Sequence, residues 1–361
     1  MGIERNIYSD LPIPPGEYLA EVLKEKGINQ AEIAQRMGRP PQAINEIIAG
    51  RKAVTPDTAL QLERALGVPA HIWTSLEARF QLIKARQLEM QQLREESPLL
   101  NEIPYKILCQ MGFVKKTRNI VDKIRELHSF FGVSALSNLK EVRAYDSAFR
   151  CARRRNASPY ALIAWLICAE KSAQQTSTQS YDKGLLFSCV PRLRELTQET
   201  PPVFEPKLKE LLANCGIALV LMPHFPKTYA YGAAGWLSQD KAFIIMSFRG
   251  SWADIFWFSL FHELAHIYLH KSSQLYIDDG TVNPEIQAKE EEADRFAANK
   301  LIPQIDYQEF VNSSSFTIES IQHLARQIGI APGIAVGRLQ HDRHLRQDSL
   351  LNALRERYKW K

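Results

Sequence analysis

The stretch "FHELAHIYLH", residues 261–270, sets three histidines and a glutamate into an otherwise apolar helix. His262 and His266 stand four apart, with Glu263 directly after the first. Residues four apart in a helix differ by about 40° in direction and about 6 Å in rise, so both imidazoles can point at one ion. Zinc accepts imidazole nitrogen and prefers four ligands, one of them water in catalytic sites. Glu263 lies about 100° around the helix from His262, where it can reach a coordinated water and accept its proton. The bland alternative is a pair of histidines satisfied inside a core.

A site of this kind needs a third protein ligand. "KEEEADRFAANKLIP", residues 289–303, offers Glu290, Glu291 and Glu292. Taking Ala297 as zero at about 100° per residue, Ala293 falls near −40°, Leu301 near +40° and Glu290 near +20°. Glu291 falls at about +120° and Glu292 at about −140°. Glu290 alone therefore shares the inward apolar stripe, and a charge there needs a partner such as a metal. Asp294, at about +60°, is placed to accept a hydrogen bond from the far nitrogen of a ligating histidine. His270, four beyond His266, is a further ligand, a substrate contact or a capped surface histidine. One Zn2+ per chain is expected. "KAFIIMSFR", residues 241–249, is expected to be the edge strand along which an extended peptide would pair. His224, Tyr229 and Tyr231 precede it and are either oxyanion donors or ordinary packing.

The chain has 361 residues, more than one core accommodates, so two or three domains are expected. Prolines in "TQETPPVFEPK" mark a boundary near residue 200, after which short apolar strands alternate with helices. The expected architecture is multidomain. An all-α helix-turn-helix domain spans 1–78, and a helical linker or middle region spans 79–200. An α+β domain with the HExxH helix and a helical C-terminal tail spans 201–361. "ASPYALIAWLICAEKSAQQ", residues 157–175, is apolar but interrupted by charge, so it belongs in a core. No run of about 18 apolar residues marks a membrane span, and the N-terminus lacks a signal-peptide core, so the cytoplasm is the expected location. Five scattered cysteines without a CxxC pair argue against a disulfide framework or a cysteine zinc site.

Residues 30–51 read as two short helices around a glycine-containing turn. Ala31, Ile33, Ala34 and Met37 give the first an inner face, and Ile44, Ile47 and Ile48 the second. The second helix then turns Gln42, Asn45 and Glu46 outward, where short polar side chains can reach base edges. Gln30, Arg39, Arg51 and Lys52 flank them as candidate phosphate contacts. Double-stranded DNA is thus a candidate partner, although residues 1–78 carry 8 Lys+Arg against 10 Asp+Glu. Residues 79–155 carry 16 against 8, including "VKKTR" at 114–118 and "RCARRR" at 150–155. That basic stretch is either a solvated helical face or a surface for phosphates or an acidic partner.

"RPPQAINEIIAGRKAVTPDTALQLERALG" resembles the phage-repressor-like helix-turn-helix domains, in particular those of HigA-type antitoxins. "HELAHIYLH", "EEEADRFAANKLIP" and "AVGRLQHD" resemble the ImmA/IrrE metallopeptidase family. The second likeness implies His262, His266 and Glu290 as zinc ligands in a gluzincin-like HExxH plus glutamate arrangement, with Glu263 as catalytic acid–base. It also implies cleavage or removal of a repressor-type protein partner. The first implies autoregulation and a toxin partner encoded nearby, and helix-turn-helix docking geometry leads us to expect a homodimer on a palindromic operator. Two function classes follow. One is a DNA-tethered zinc endopeptidase that cuts a regulator or toxin. The other is an antitoxin-like repressor whose metal site is structural or sensory.

Overall fold

The computed structural model describes residues 11–142, 157–247, 251–270, 276–278, 287–313 and 315–358. The basic segment 150–155 lies outside the described residues. The chain forms two compact units that divide between Ser97 and Pro98.

Among the described residues, the first unit is helical: α1 (Pro15–Lys26), α2 (Gln30–Arg36), α3 (Pro41–Ile48), α4 (Pro56–Leu66) and α5 (Ala70–Glu95). Local chemistry sets the boundaries. Gly27 ends α1 with φ +65°, a conformation that costs a glycine little. The Asn29 and Thr55 side chains cap α2 and α4 by accepting the backbone N–H of Glu32 and Thr58. Pro41 and Pro56 open α3 and α4, where a missing N–H costs nothing. Leu19, Ile33, Ile44, Leu62 and Trp73 form the core. Ala31 is exposed, unlike the inward position expected for it. It lies more than a quarter turn off the stripe formed by Ile33, Ala34 and Met37. The long α5 falls within this unit.

The second unit is built on one four-stranded sheet in the order β1-β3-β2-β4. Its strands are β1 (Ile217–Leu221), β2 (Gly232–Ser238), β3 (Lys241–Met246) and β4 (Tyr276–Asp278). β3 pairs parallel to β1 and antiparallel to β2, and β2 pairs antiparallel to β4. "KAFIIM" is therefore an interior strand, which corrects its placement at the edge. Its apolar residues point alternately to two buried faces, as suits a central strand. Ile244 and Met246 face one core, whereas Phe243 and Ile245 face another.

Helices from both sides of residue 200 cover those faces. On one side lie α9 (Lys183–Glu195), α10 (Pro201–Asn214), α11 (Ala253–Leu269), α12 (Gln287–Leu301), α14 (Ile318–Ile328) and α15 (Pro332–His341), with α13 (Gln304–Asn312) adjoining. On the other lie α6 (Tyr105–Gln110), α7 (Ile120–Phe131) and α8 (Pro159–Gln175). The apolar "YALIAWLICA" of α8 is buried on all sides. The division placed at residue 200 thus falls inside one unit. Pro201 and Pro202 start α10 rather than separating domains. Among the described residues, no helix is long and apolar enough to cross a membrane.

Candidate metal centre and nucleic-acid interface

α11 is an almost wholly buried helix against the sheet, and its first turn is pinned from the far end of the chain. Arg355 donates two hydrogen bonds to Asp254, from Nε at 3.0 Å and Nη2 at 2.7 Å, and one to Gln340 Oε1 at 3.1 Å. Burial raises the Asp254 carboxyl above its ordinary range, and the guanidinium offsets this only in part. Trp257 Nε1 donates to the Tyr358 hydroxyl at 3.0 Å, so the indole N–H stays paired in the core. None of these pairings has a local sequence signature.

Further along α11, His262, Glu263 and His266 are buried. α12 runs antiparallel beside them, and the contacts pair Glu290 with both histidines. His262 Nε2 lies 3.1 Å from Glu290 Oε2 and 3.0 Å from His266 Nε2, and His266 Nε2 lies 3.6 Å from the same oxygen. A tetrahedral zinc with donors at about 2.0–2.1 Å would set them about 3.3–3.4 Å apart, so the three separations bracket the required value. His262 Nδ1 lies 2.8 Å from Asp294 Oδ1. With its Nδ1 proton on that carboxylate, neutral His262 turns the Nε2 lone pair toward Glu290. Two acceptors at that distance repel unless a proton or a cation lies between them. The donor set therefore fits a metal ion. Where a proton takes the place of a cation there, burial still pushes the Glu290 carboxyl upward, but hydrogen bonds donated by His262 and His266 outweigh it and hold it at about 2. Burial lowers the His266 imidazole, which favours the neutral form a metal needs.

Glu291 and Glu292 are exposed, as the helical phase required. His270 caps the end of α11 and points its Nε2 at the Lys289 carbonyl, 3.2 Å away. It ties the metal helix to the first turn of α12 instead of joining the ligand set. Of the aromatic candidates before β2, Tyr229 is 38% exposed with φ +57°. The Tyr231 carbonyl accepts the Ser247 N–H at 2.9 Å. His224 is exposed.

Sequence reasoning missed Gly232, the first residue of β2. A Cβ there would sit 2.8 Å from Glu263 Oε1 and 3.0 Å from its Cγ. The missing side chain is what lets the Glu263 carboxylate lie against the strand. The glycine in "YAYGAAGWLS" was visible, but its neighbour is a contact across the fold.

In the first unit, α2 and α3 meet at a turn in which Gly38 has φ +62°. Ala43, Ile44 and Ile47 bury one face of α3, and Gln42 and Asn45 are exposed on the other. Glu46 is half-buried and its Oε1 accepts from Gln42 Nε2 at 3.1 Å. Gln30, Arg51 and Lys52 are exposed. Arg39 is not free for a phosphate in the way expected of it. Its Nε donates to Gln61 Oε1 at 2.6 Å and its Nη2 to Asp57 Oδ2 at 2.8 Å, tying the turn to α4.

This fold and this donor set define a chain with a helix-turn-helix unit of the DNA-binding regulator class, joined to a peptidase-type unit with a His/Glu site. Family models agree: helix-turn-helix matches residues 19–73, and the IrrE N-terminal-like domain, a peptidase family, matches residues 255–340. The chain belongs to the helix-turn-helix family through its first unit and carries an IrrE N-terminal-like domain in its second. Virulence-associated protein I of Dichelobacter nodosus is 37% identical over 76 residues, which is 21% of this chain and 70% of that protein. An uncharacterized HTH-type transcriptional regulator of Escherichia coli K12, YddM, is 27% identical over 73 residues, covering 20% of this chain and 78% of its own length. The Pseudomonas aeruginosa antitoxin HigA, solved with the higBA promoter, is 29% identical. It covers 24% of this chain and 95% of its own, with a TM-score of 0.23.

Proposed function

We propose that the chain is a DNA-bound regulator whose second unit is a zinc endopeptidase, acting in the cytoplasm on a repressor- or toxin-type protein. The observation that carries this reading is the convergence of His262, His266 and Glu290, with ligand atoms within 4.8 Å of one another. The general base candidate sits directly after the first of them. His262 Nε2, His266 Nε2 and a Glu290 carboxylate oxygen would hold the ion, and Asp294 would fix the His262 ring. When bound, zinc would supply a Lewis acid that lowers the pKa of coordinated water to about 7. Glu263 would take up a proton from the water whose oxygen bonds to the peptide carbonyl carbon, and would return it to the amine released as the C–N bond breaks. The end strand β4 is the edge to which an extended substrate segment would add.

Elemental analysis of the full chain purified without added metal tests the site, with about one zinc per chain expected. In cells producing the chain, a regulator protein should gain a new N-terminus that disappears on zinc chelation. A chain that holds no zinc and takes none up ends this reading. Gly232→Ala should displace the Glu263 carboxylate while leaving zinc content intact, lowering turnover by about 10²-fold, the scale of a 1 Å misplacement. Unchanged turnover would mean that Glu263 is not held at the reacting centre.

In the first unit, α3 is proposed to read the major groove of a palindromic operator as part of a homodimer. Gln42→Ala should cost about 1–3 kcal/mol at the cognate site alone. Arg51→Ala should weaken binding to all sequences and reduce the salt slope by about 1. Equal losses on operator and random DNA in both variants, measured by salt-dependent binding titrations, would exclude α3 as the base reader.

A further inference from the structure

Beyond the Asp294–His262 bond, the groove between α11 and α12 opens into a pocket of about 160 Å³, walled on a third side by α15 and partly open to solvent. The order of contacts along the two antiparallel helices places it. His270 meets Lys289, His266 meets Glu290, and His262 meets both Glu290 and Asp294. One turn further along each helix, Phe258 and Ala298 line the cavity. It therefore lies behind the His262 ring, on the Nδ1 side, away from the atoms that converge on the metal position.

Its walls are mostly apolar, from Phe258, Ala298, Leu301, Ile302 and Ile334. The charged groups at its rim are already engaged. Arg355 holds Asp254 by two hydrogen bonds, and Asp342 accepts from Arg338 Nε at 2.6 Å and pairs with His341 Nδ1 at 3.0 Å. A charged ligand would have to break those pairs, whereas a neutral one would not. A mostly apolar pocket with a narrow, already paired polar rim favours a small neutral apolar compound, and apolar spaces of about this volume take up small aromatic compounds.

We propose that this cavity binds a small neutral aromatic or alicyclic molecule of about six to nine non-hydrogen atoms, the size that such a volume admits. Its occupancy is felt at His262 through Asp294, because Asp294 stands one helical turn from Ala298. The binding half stands on the cavity alone, and the coupling half rests on the zinc-site reading above.

Indole and benzene serve as probes on the full chain. Either should raise the unfolding midpoint saturably by about 2–4 °C at concentrations well above its Kd. Ala298→Phe, which fills the space, should abolish the response. Should that variant fail to fold, Ala298→Leu provides the same comparison, and xenon pressurisation of parent crystals should show density in the cavity. No response of the parent to either probe, or an equal response in a folded filled variant, overturns the site. Zinc affinity, measured by competition with a chromophoric chelator, should shift by about fivefold or more when indole is bound. An unmoved affinity with indole bound overturns the coupling. If the chain takes up no zinc, the metal reading falls separately, and titration of the metal-free chain still decides the cavity.

Discussion

Glu263→Gln should leave zinc content and folding intact while cleavage of the partner protein falls by about 10²–10⁴-fold, the usual contribution of a positioned base. Glutamine keeps the shape of the side chain against Gly232 but cannot take up the proton. Glu263 is absent from the ligand set formed by His262, His266 and Glu290. Loss of a charge beside the metal adds to the effect, so the total can exceed the lower figure. In cells, the partner should persist with the variant and disappear with the parent. Operator binding should be unchanged, because the first unit contributes none of the ligands. A variant that changes neither partner level nor transcription, alongside a His262→Ala chain that changes both, would make the zinc structural or sensory. The antitoxin-like repressor reading would then replace the peptidase.

The second large effect is on the metal itself. His262→Ala and Glu290→Ala should each remove one of three protein ligands and reduce zinc occupancy to near zero under competition with a chelator. Asp294→Ala should cost about 10–100-fold in affinity, the usual scale for a group that orients a ligating histidine. Glu291→Ala and Glu292→Ala should leave affinity unchanged, since neither carboxylate belongs to the His262–His266–Glu290 cluster and that of Glu292 instead lies 3.6 Å from His270 Nε2. Elemental analysis and chelator competition separate these classes. Loss of metal in Glu292→Ala with retention in Glu290→Ala would place the wrong carboxylate at the site.

The clustering of His262, His266 and Glu290 was legible because it depends on helical periodicity. A four-residue spacing brings His262 and His266 together, and the phase of Ala293, Ala297 and Leu301 singles out Glu290 from two neighbouring glutamates. The buried face of α3 was legible for the same reason. What escaped notice depends on contacts across the fold. β3 has the composition of either an edge or a centre until its neighbours are known. The helices at 105–175 carry no sign that they cover the second face of the sheet. Arg39 has the charge of a phosphate contact, and only the tertiary structure shows Asp57 and Gln61 engaging it. Gly232 and Arg355 act on residues 31 and 101 positions away, beyond the reach of any local pattern.

The Asp254–Arg355 bond and the Trp257–Tyr358 contact have a temporal consequence. The first unit has its whole core once residue 97 has been made, so it can fold while the rest of the chain is still on the ribosome. α11, which carries His262 and His266, lacks its anchor until residues 355–358 emerge. At roughly 5–20 residues per second, the interval is on the order of tens of seconds. The helix-turn-helix unit of each newly made molecule is thus complete before the helix that carries His262 and His266 is anchored.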